Sequence, residues 1–150
     1  MLEQDFYASG AEIIAQLREA LVEDQTVKRV LSRGEMADLG EERQIVPAIY
    51  VVSGGHQVVS SDEWSTKYSL LWFITIAVAN KANDKEVVVA DERAGIVANR
   101  MLAALEGFVP TGHSALVAQT AGRAYYSPGY AYYPFAFSTE RIRCHTPNYR

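Results

Sequence analysis

The chain has 150 residues, a hydrophobic fraction of 49%, a charged fraction of 21% and a formal net charge of −4. That length fits one domain with a sizeable core, and the mildly acidic balance argues against nucleic-acid binding, which draws its affinity from clustered cations. The single cysteine, Cys144, excludes an internal disulfide, and the acidic N-terminus has no signal-peptide pattern, so a cytosolic protein is expected.

Ser9-Gly-Ala-Glu12 has the form of a capping box, with the Ser9 hydroxyl accepting from the Glu12 amide and Glu12 reaching back. Ile13, Ile14, Leu17 and Leu21 follow at helical spacing, which predicts an amphipathic helix over about residues 10–23. Residues 26–31 form a short strand candidate. The charged, glycine-punctuated run 32–44 reads as a loop with at most one helical turn.

Residues 45–53 read as a strand, with Pro47 at its start or on an edge because proline cannot donate to a ladder. Gly54-Gly55 is a turn signal, with a short return strand over 56–59 and a second turn at 60–63. Residues 64–80 are the main strand. Its alternation puts Tyr68, Leu70, Trp72, Ile74, Ile76 and Val78 on one apolar face, and Ser69, Leu71, Phe73, Thr75, Ala77 and Ala79 on a mixed one.

After a polar break, Ala90, Ala94, Val97, Ala98, Met101, Leu102 and Leu105 form a helical stripe that stops at Gly107, with Pro110 beyond. Residues 116–126 are a strand region interrupted by Gly122, Ser127-Pro-Gly129 is a turn, and residues 130–139 are a strand that Pro134 makes an edge or a bulge. Residues 1–8 and 140–150 read as peripheral tails of a single domain. The order implies an α+β fold, a mostly antiparallel sheet with about two helices packed on one face.

Candidate chemistry is thin. Gly112-His-Ser114 resembles a nucleophile elbow but has Leu116 where the motif needs glycine, so a hydrolase using Ser114 with His145 is a remote alternative. His56, His113, His145 and Cys144 lack metal-ligand spacing, and no phosphate loop is present, so no cofactor or metal is expected. Tyr125, Tyr126, Tyr130, Tyr132, Tyr133, Phe135 and Phe137 form an aromatic cluster. Stacking of single-stranded bases there would want more cations than Arg123, Arg141 and Arg143, so contact with a protein partner is the preferred reading.

Taken in order, the elements resemble the phage tail terminator (tail completion) family of long-tailed phages and prophages. The resemblance spans roughly residues 10–139. It rests on Ile13-Ile14…Leu17…Leu21, Val46-Pro-Ala-Ile-Tyr-Val-Val52, Leu71-Trp-Phe-Ile-Thr-Ile-Ala-Val78, Ala94-Gly-Ile-Val-Ala…Leu102…Ala104-Leu-Glu-Gly-Phe-Val-Pro110, Leu116, Tyr126-x-x-Gly129-Tyr130 and Phe135-x-Phe-Ser-Thr139.

It implies a non-catalytic virion protein that assembles in the host cytoplasm. Such a protein forms a ring, typically a hexamer, on the head-proximal end of the tail tube. The ring stops tube polymerisation and meets a head–tail connector protein. Another neck protein of similar fold is the nearest alternative. The expected partners are a second copy of the chain, the tail tube protein and the connector, with no membrane and no specific nucleic-acid binding. Candidate assembly residues are Arg33, Glu35, Asp38, Glu41, Glu42 and Arg43 in the charged loop, with Tyr130 and Tyr132.

Overall fold

The computed structural model describes residues 5–37, 44–80 and 84–149. The helices are α1 (Ser9–Leu17), which continues as a π-helical turn over Arg18–Val22, then α2 (Arg33–Ala37) and α3 (Asp84–Leu105). The strands are β1 (Arg29–Ser32), β2 (Ala48–Ser61), β3 (Ser65–Asn80), β4 (Val117–Gln119), β5 (Tyr125–Ser127) and β6 (Gly129–Cys144). They make one six-stranded sheet in the order β1-β2-β3-β6-β4, with β5 also on β6. Only the β1–β2 pair is parallel among the described pairings. The fold is thus α+β with a mostly antiparallel sheet.

The centre of the sheet is β3, paired along its whole length with β6 and along most of it with β2. Its alternation does what the residues dictate. Leu70, Trp72, Ile74, Ile76 and Val78 are all buried. Trp72, Ile74, Ile76 and Val78 join Ile13, Leu17 and Leu21 of the first helix and Ala94, Val97, Met101 and Leu105 of α3 in one apolar cluster. Each fully buried Leu or Ile contributes about 1.5–3 kcal/mol relative to exposure. The opposite face holds a smaller cluster, Leu31, Ala48, Tyr50 and Ala77, with Val46 and Tyr132 against it.

Four local expectations are corrected. The capping box does not form: Ala8 is the N-cap, without a side-chain bond. The Ser9 hydroxyl instead accepts from Trp72 Nε1 at 3.0 Å, and the Glu12 carboxylate accepts from the Thr111 amide and hydroxyl. Gly54-Gly55 is not a hairpin turn. Strand β2 runs through it, with a bulge between Ser53 and His56. A Cβ on Gly54 would lie 2.7 Å from Phe73 Cε2 and 2.9 Å from Leu71 Cδ2, so the missing side chain lets both lie across β2.

Residues 140–144 are not a tail: they extend β6 and pair with Ser65–Ser69. Nor are residues 6 and 7 detached. Phe6 meets Tyr68 and His56 edge-on, and the Tyr7 hydroxyl is 2.6 Å from His56 Nδ1. Pro47 directly precedes β2, and the Val46–Pro47 peptide is cis. Pro134 pairs with Thr75 of β3, and among the described pairings no strand lies opposite it on the other side of β6, which leaves β6 open there between the stretches held by β4 and β5.

Candidate assembly surfaces

The direct pairings of β3 fix which residues share its mixed face. Leu71, Phe73, Thr75 and Ala77 stand opposite Ser138, Ala136, Pro134 and Tyr132 of β6. Phe73, Thr75 and Ala77 also face Val52, Tyr50 and Ala48 of β2. Phe73 remains 37% exposed at the middle of this face. One end of the face is polar, with an ion pair between Lys67 and Glu140 at 3.1 Å. The other end is a tyrosine network. Tyr50 donates to Gln44 Oε1 at 2.5 Å, Gln44 Nε2 donates to the Tyr132 hydroxyl at 2.7 Å, and Tyr132 stacks on Tyr125 at 4.8 Å. Burial pushes the Tyr50 phenol up to about 12.

Gln44, the last residue of the charged loop, reaches the half-buried Tyr132 directly. Tyr130 is also half-buried, and its position on β6 pairs with Ser127 and Ala79. Arg33 and Glu35 lie exposed on α2. Glu35 accepts from Ser32 and faces Arg18 at 3.4 Å, an exposed pair that contributes little by itself. Asp38, Glu41, Glu42 and Arg43 lie outside the described residues.

Sequence reasoning missed Gln44, Tyr50 and Tyr125 as one network. The alternation carries a signal for part of it, because Tyr50 and Tyr132 both sit at positions that register with the mixed face of β3. Another tyrosine, Tyr133, points the other way and donates to Asp91 of α3. Burial and the Asp91 bond raise its phenol far above the usual tyrosine range.

Beyond the reach of the helices, β2, β3 and β6 continue as a three-stranded arm. Val58, Val59, Trp64 and Ile142 are exposed on it. Its tip is tightly tied. The Asp62 carboxylate accepts from the Trp64 amide at 2.7 Å and the Ser65 amide at 2.8 Å, and the His145 amide donates to the Trp64 carbonyl at 2.8 Å. Those two backbone bonds hold the Asp62 carboxyl below its usual value of 3.8.

Ser114 serves structure. Its Oγ accepts from the Glu140 amide at 2.9 Å, its amide donates to the Glu140 carbonyl, and its carbonyl accepts from Thr139 Oγ1. His145 lies five residues further along the chain from Glu140, roughly 16 Å away at strand rise. A serine nucleophile needs its base within hydrogen-bond reach. Among the described residues, no three of His, Cys, Asp and Glu gather as a metal site, and no helix is long and apolar enough to cross a membrane.

The family model described as "Phage tail terminator protein" matches residues 4–147 of the 150. The chain belongs to the phage tail terminator family. No individually curated protein matches it. Membership makes it one of a family of structural phage-tail proteins, whose role is contact with other phage tail and head proteins. In a tail terminator, the half-apolar sheet face, the tyrosine network and the arm are candidate contact surfaces. The matched span includes α1, the whole sheet and the arm.

Proposed function

We propose that the protein is a tail terminator that forms a ring, a hexamer of identical subunits, on the head-proximal end of the tail tube. There it ends tube polymerisation and presents a surface to the head connector. The single observation that carries this reading is the family match over residues 4–147. The geometry supports it. The chain presents exposed apolar side chains at two places, Phe73 in the middle of the sheet and Val58, Val59, Trp64 and Ile142 on the arm. A ring of one chain needs two different surfaces that meet and close. The chain acts as a single domain in the neck of the virion tail, after assembly in the bacterial cytoplasm, and performs no catalysis.

The charged loop from Arg33 to Arg43, with Tyr130 and Tyr132, is the assigned contact with tube or neighbour. Gln44, the residue after Arg43, donates to Tyr132 at the sheet face, which supports this reading. The test is addition of purified protein to polymerising tail tubes. Tubes should stop growing and carry a ring at one end in electron micrographs. Unchanged growth with bare tube ends would refute the reading.

A further inference from the structure

We propose that Phe6 and Tyr7 form a clasp that locks the three-stranded arm at one angle to the first helix. With the clasp open, the arm bends at the Gly54-Gly55 bulge while the body stays folded. This goes beyond the ring reading and does not depend on it.

Phe6 touches all three strands of the arm. Tyr68 of β3 pairs with Val58 of β2 and with Arg141 of β6. The Phe6 ring meets Tyr68 edge-on at 5.2 Å and His56 of β2 at 5.3 Å, and the Arg141 guanidinium lies 5.6 Å from its centroid. Edge-to-face rings and a cation over a ring both attract beyond simple burial. Ser114 also reaches the base of the arm, but it holds β6 alone, at Glu140.

Tyr7 carries the hold back to the body. Its hydroxyl is 2.6 Å from His56 Nδ1, and its ring meets Trp72 edge-on at 6.3 Å. Trp72 in turn donates to Ser9 at the start of α1. The connection to the helix is short and tied. The Tyr7 amide donates to Asp5 Oδ1 at 2.9 Å, and the Ala8 and Gly10 amides donate to the Asp5 and Tyr7 carbonyls, both at 3.1 Å. Phe6 and Tyr7 therefore move with α1, and the arm moves with them while the rings hold.

The arm has a joint that needs locking. The bulge in β2 between Ser53 and His56 lies where the arm leaves the body, and Gly55 within it has a φ of 87°. Bulges bend a strand and interrupt its ladder. The clasp spans this joint and is the weaker part of the structure. Phe6, His56, Tyr68 and Arg141 are only half-buried and Tyr7 is 36% exposed, whereas Ile13 and Leu17 of α1 are completely buried. Local opening starts where few apolar groups are buried and hydrogen bonds lie near solvent. The Tyr7–His56 bond is itself exposed, so opening strands no buried donor. Closed, the clasp presents Val58, Val59, Trp64 and Ile142 at one angle to the body. An arm ordered in advance loses less freedom on contact with a partner.

The experiment measures that angle in the full chain. Cys144, the single cysteine, is exposed on the arm, and Asn99→Cys adds an exposed site on α3. Spin labels on the two cysteines give a distance distribution by double electron–electron resonance, with circular dichroism as the check on folding. The wild type should show one narrow distance. Phe6→Ala removes a ring and should widen the distribution about twofold or more, with the helical signal and cooperative unfolding retained. Tyr7→Phe keeps its ring, loses the bond to His56 and should widen it less. Equal widths in wild type and either variant would overturn the clasp. Loss of the cooperative fold in Phe6→Ala would overturn it too, because Phe6 would then belong to the core of the body.

Discussion

Replacing Ser9 with alanine tests how the first helix is fixed to the sheet. The Ser9 hydroxyl is fully buried and accepts from Trp72 Nε1 at 3.0 Å. Its removal leaves the indole N–H without this partner, in a residue only 6% exposed. An unsatisfied buried donor costs about 1–3 kcal/mol. Trp72→Phe removes the donor itself, so the Ser9→Ala penalty should vanish in that background. The double mutant should then be about 1–3 kcal/mol more stable than additivity predicts, a coupling in the range of contacting pairs. The assay is urea unfolding at low protein concentration. With a slope of about 2 kcal/mol/M, Ser9→Ala should lower the midpoint by about 0.5–1.5 M. A midpoint within error of wild type, or strictly additive single changes, would refute the assignment of this bond as the tie between α1 and β3.

Gly54→Ala should destabilise the protein by about 1 kcal/mol, at the low end of overpacking because the 37%-exposed Phe73 has room to move, as read by the same unfolding assay. Tyr50→Phe should be less stable than wild type near pH 9 through the lost bond to Gln44. That difference should shrink as pH rises from 10 to about 12, because a phenol whose folded pKa is raised contributes stability below its ordinary value of 10 that is lost above it. A constant difference across that window would contradict the burial of Tyr50. The Asp62 carboxylate is held down, so its grip on the tip is present above pH 3.8 and lost as pH falls through its lowered value. The amide resonances of Trp64 and Ser65 should shift in that acid range in wild type and not in Asp62→Asn. Reversing Glu41 and Glu42 to lysine should weaken assembly without altering the thermal midpoint, and unchanged assembly would remove the loop from the contact surface.

The long strand was legible because its two environments differ. Leu70 to Val78 alternate between a dry face and a half-exposed one, and period two survives that contrast. The stripe of α3 was legible for the same reason, and Gly107 ends it as its chemistry requires. The π-helical turn at Arg18–Val22 left no mark in the spacing. Ser9 and Glu12 were misread because a local motif says nothing about tertiary competitors. Trp72, 63 residues away, and Thr111, 99 residues away, take the groups that would have capped the helix.

Gly54-Gly55 fits a turn and a bulge equally in sequence. The close approach of Phe73 and Leu71 decides between them, and it is a pairing fact. Residues 140–144 looked like a tail because the arm is exposed around them: Ile142, Arg143 and Cys144 are all exposed, so no apolar alternation marks the strand. A cleft lined by Gly10, Ile14, Ser32, Val51 and Trp72 joins α1, the end of β1, β2 and β3, and no single stretch of sequence contains it.

The central claim is that this protein ends the growth of the tail tube. The most direct measurement is the length distribution of tails, by electron microscopy, in lysates of a phage deleted for this chain, with and without the protein supplied in trans. Tails of uncontrolled length that fail to join heads, restored to uniform, head-joined tails by the supplied protein, are the predicted result. Uniform, head-joined tails from the deletion alone would contradict it.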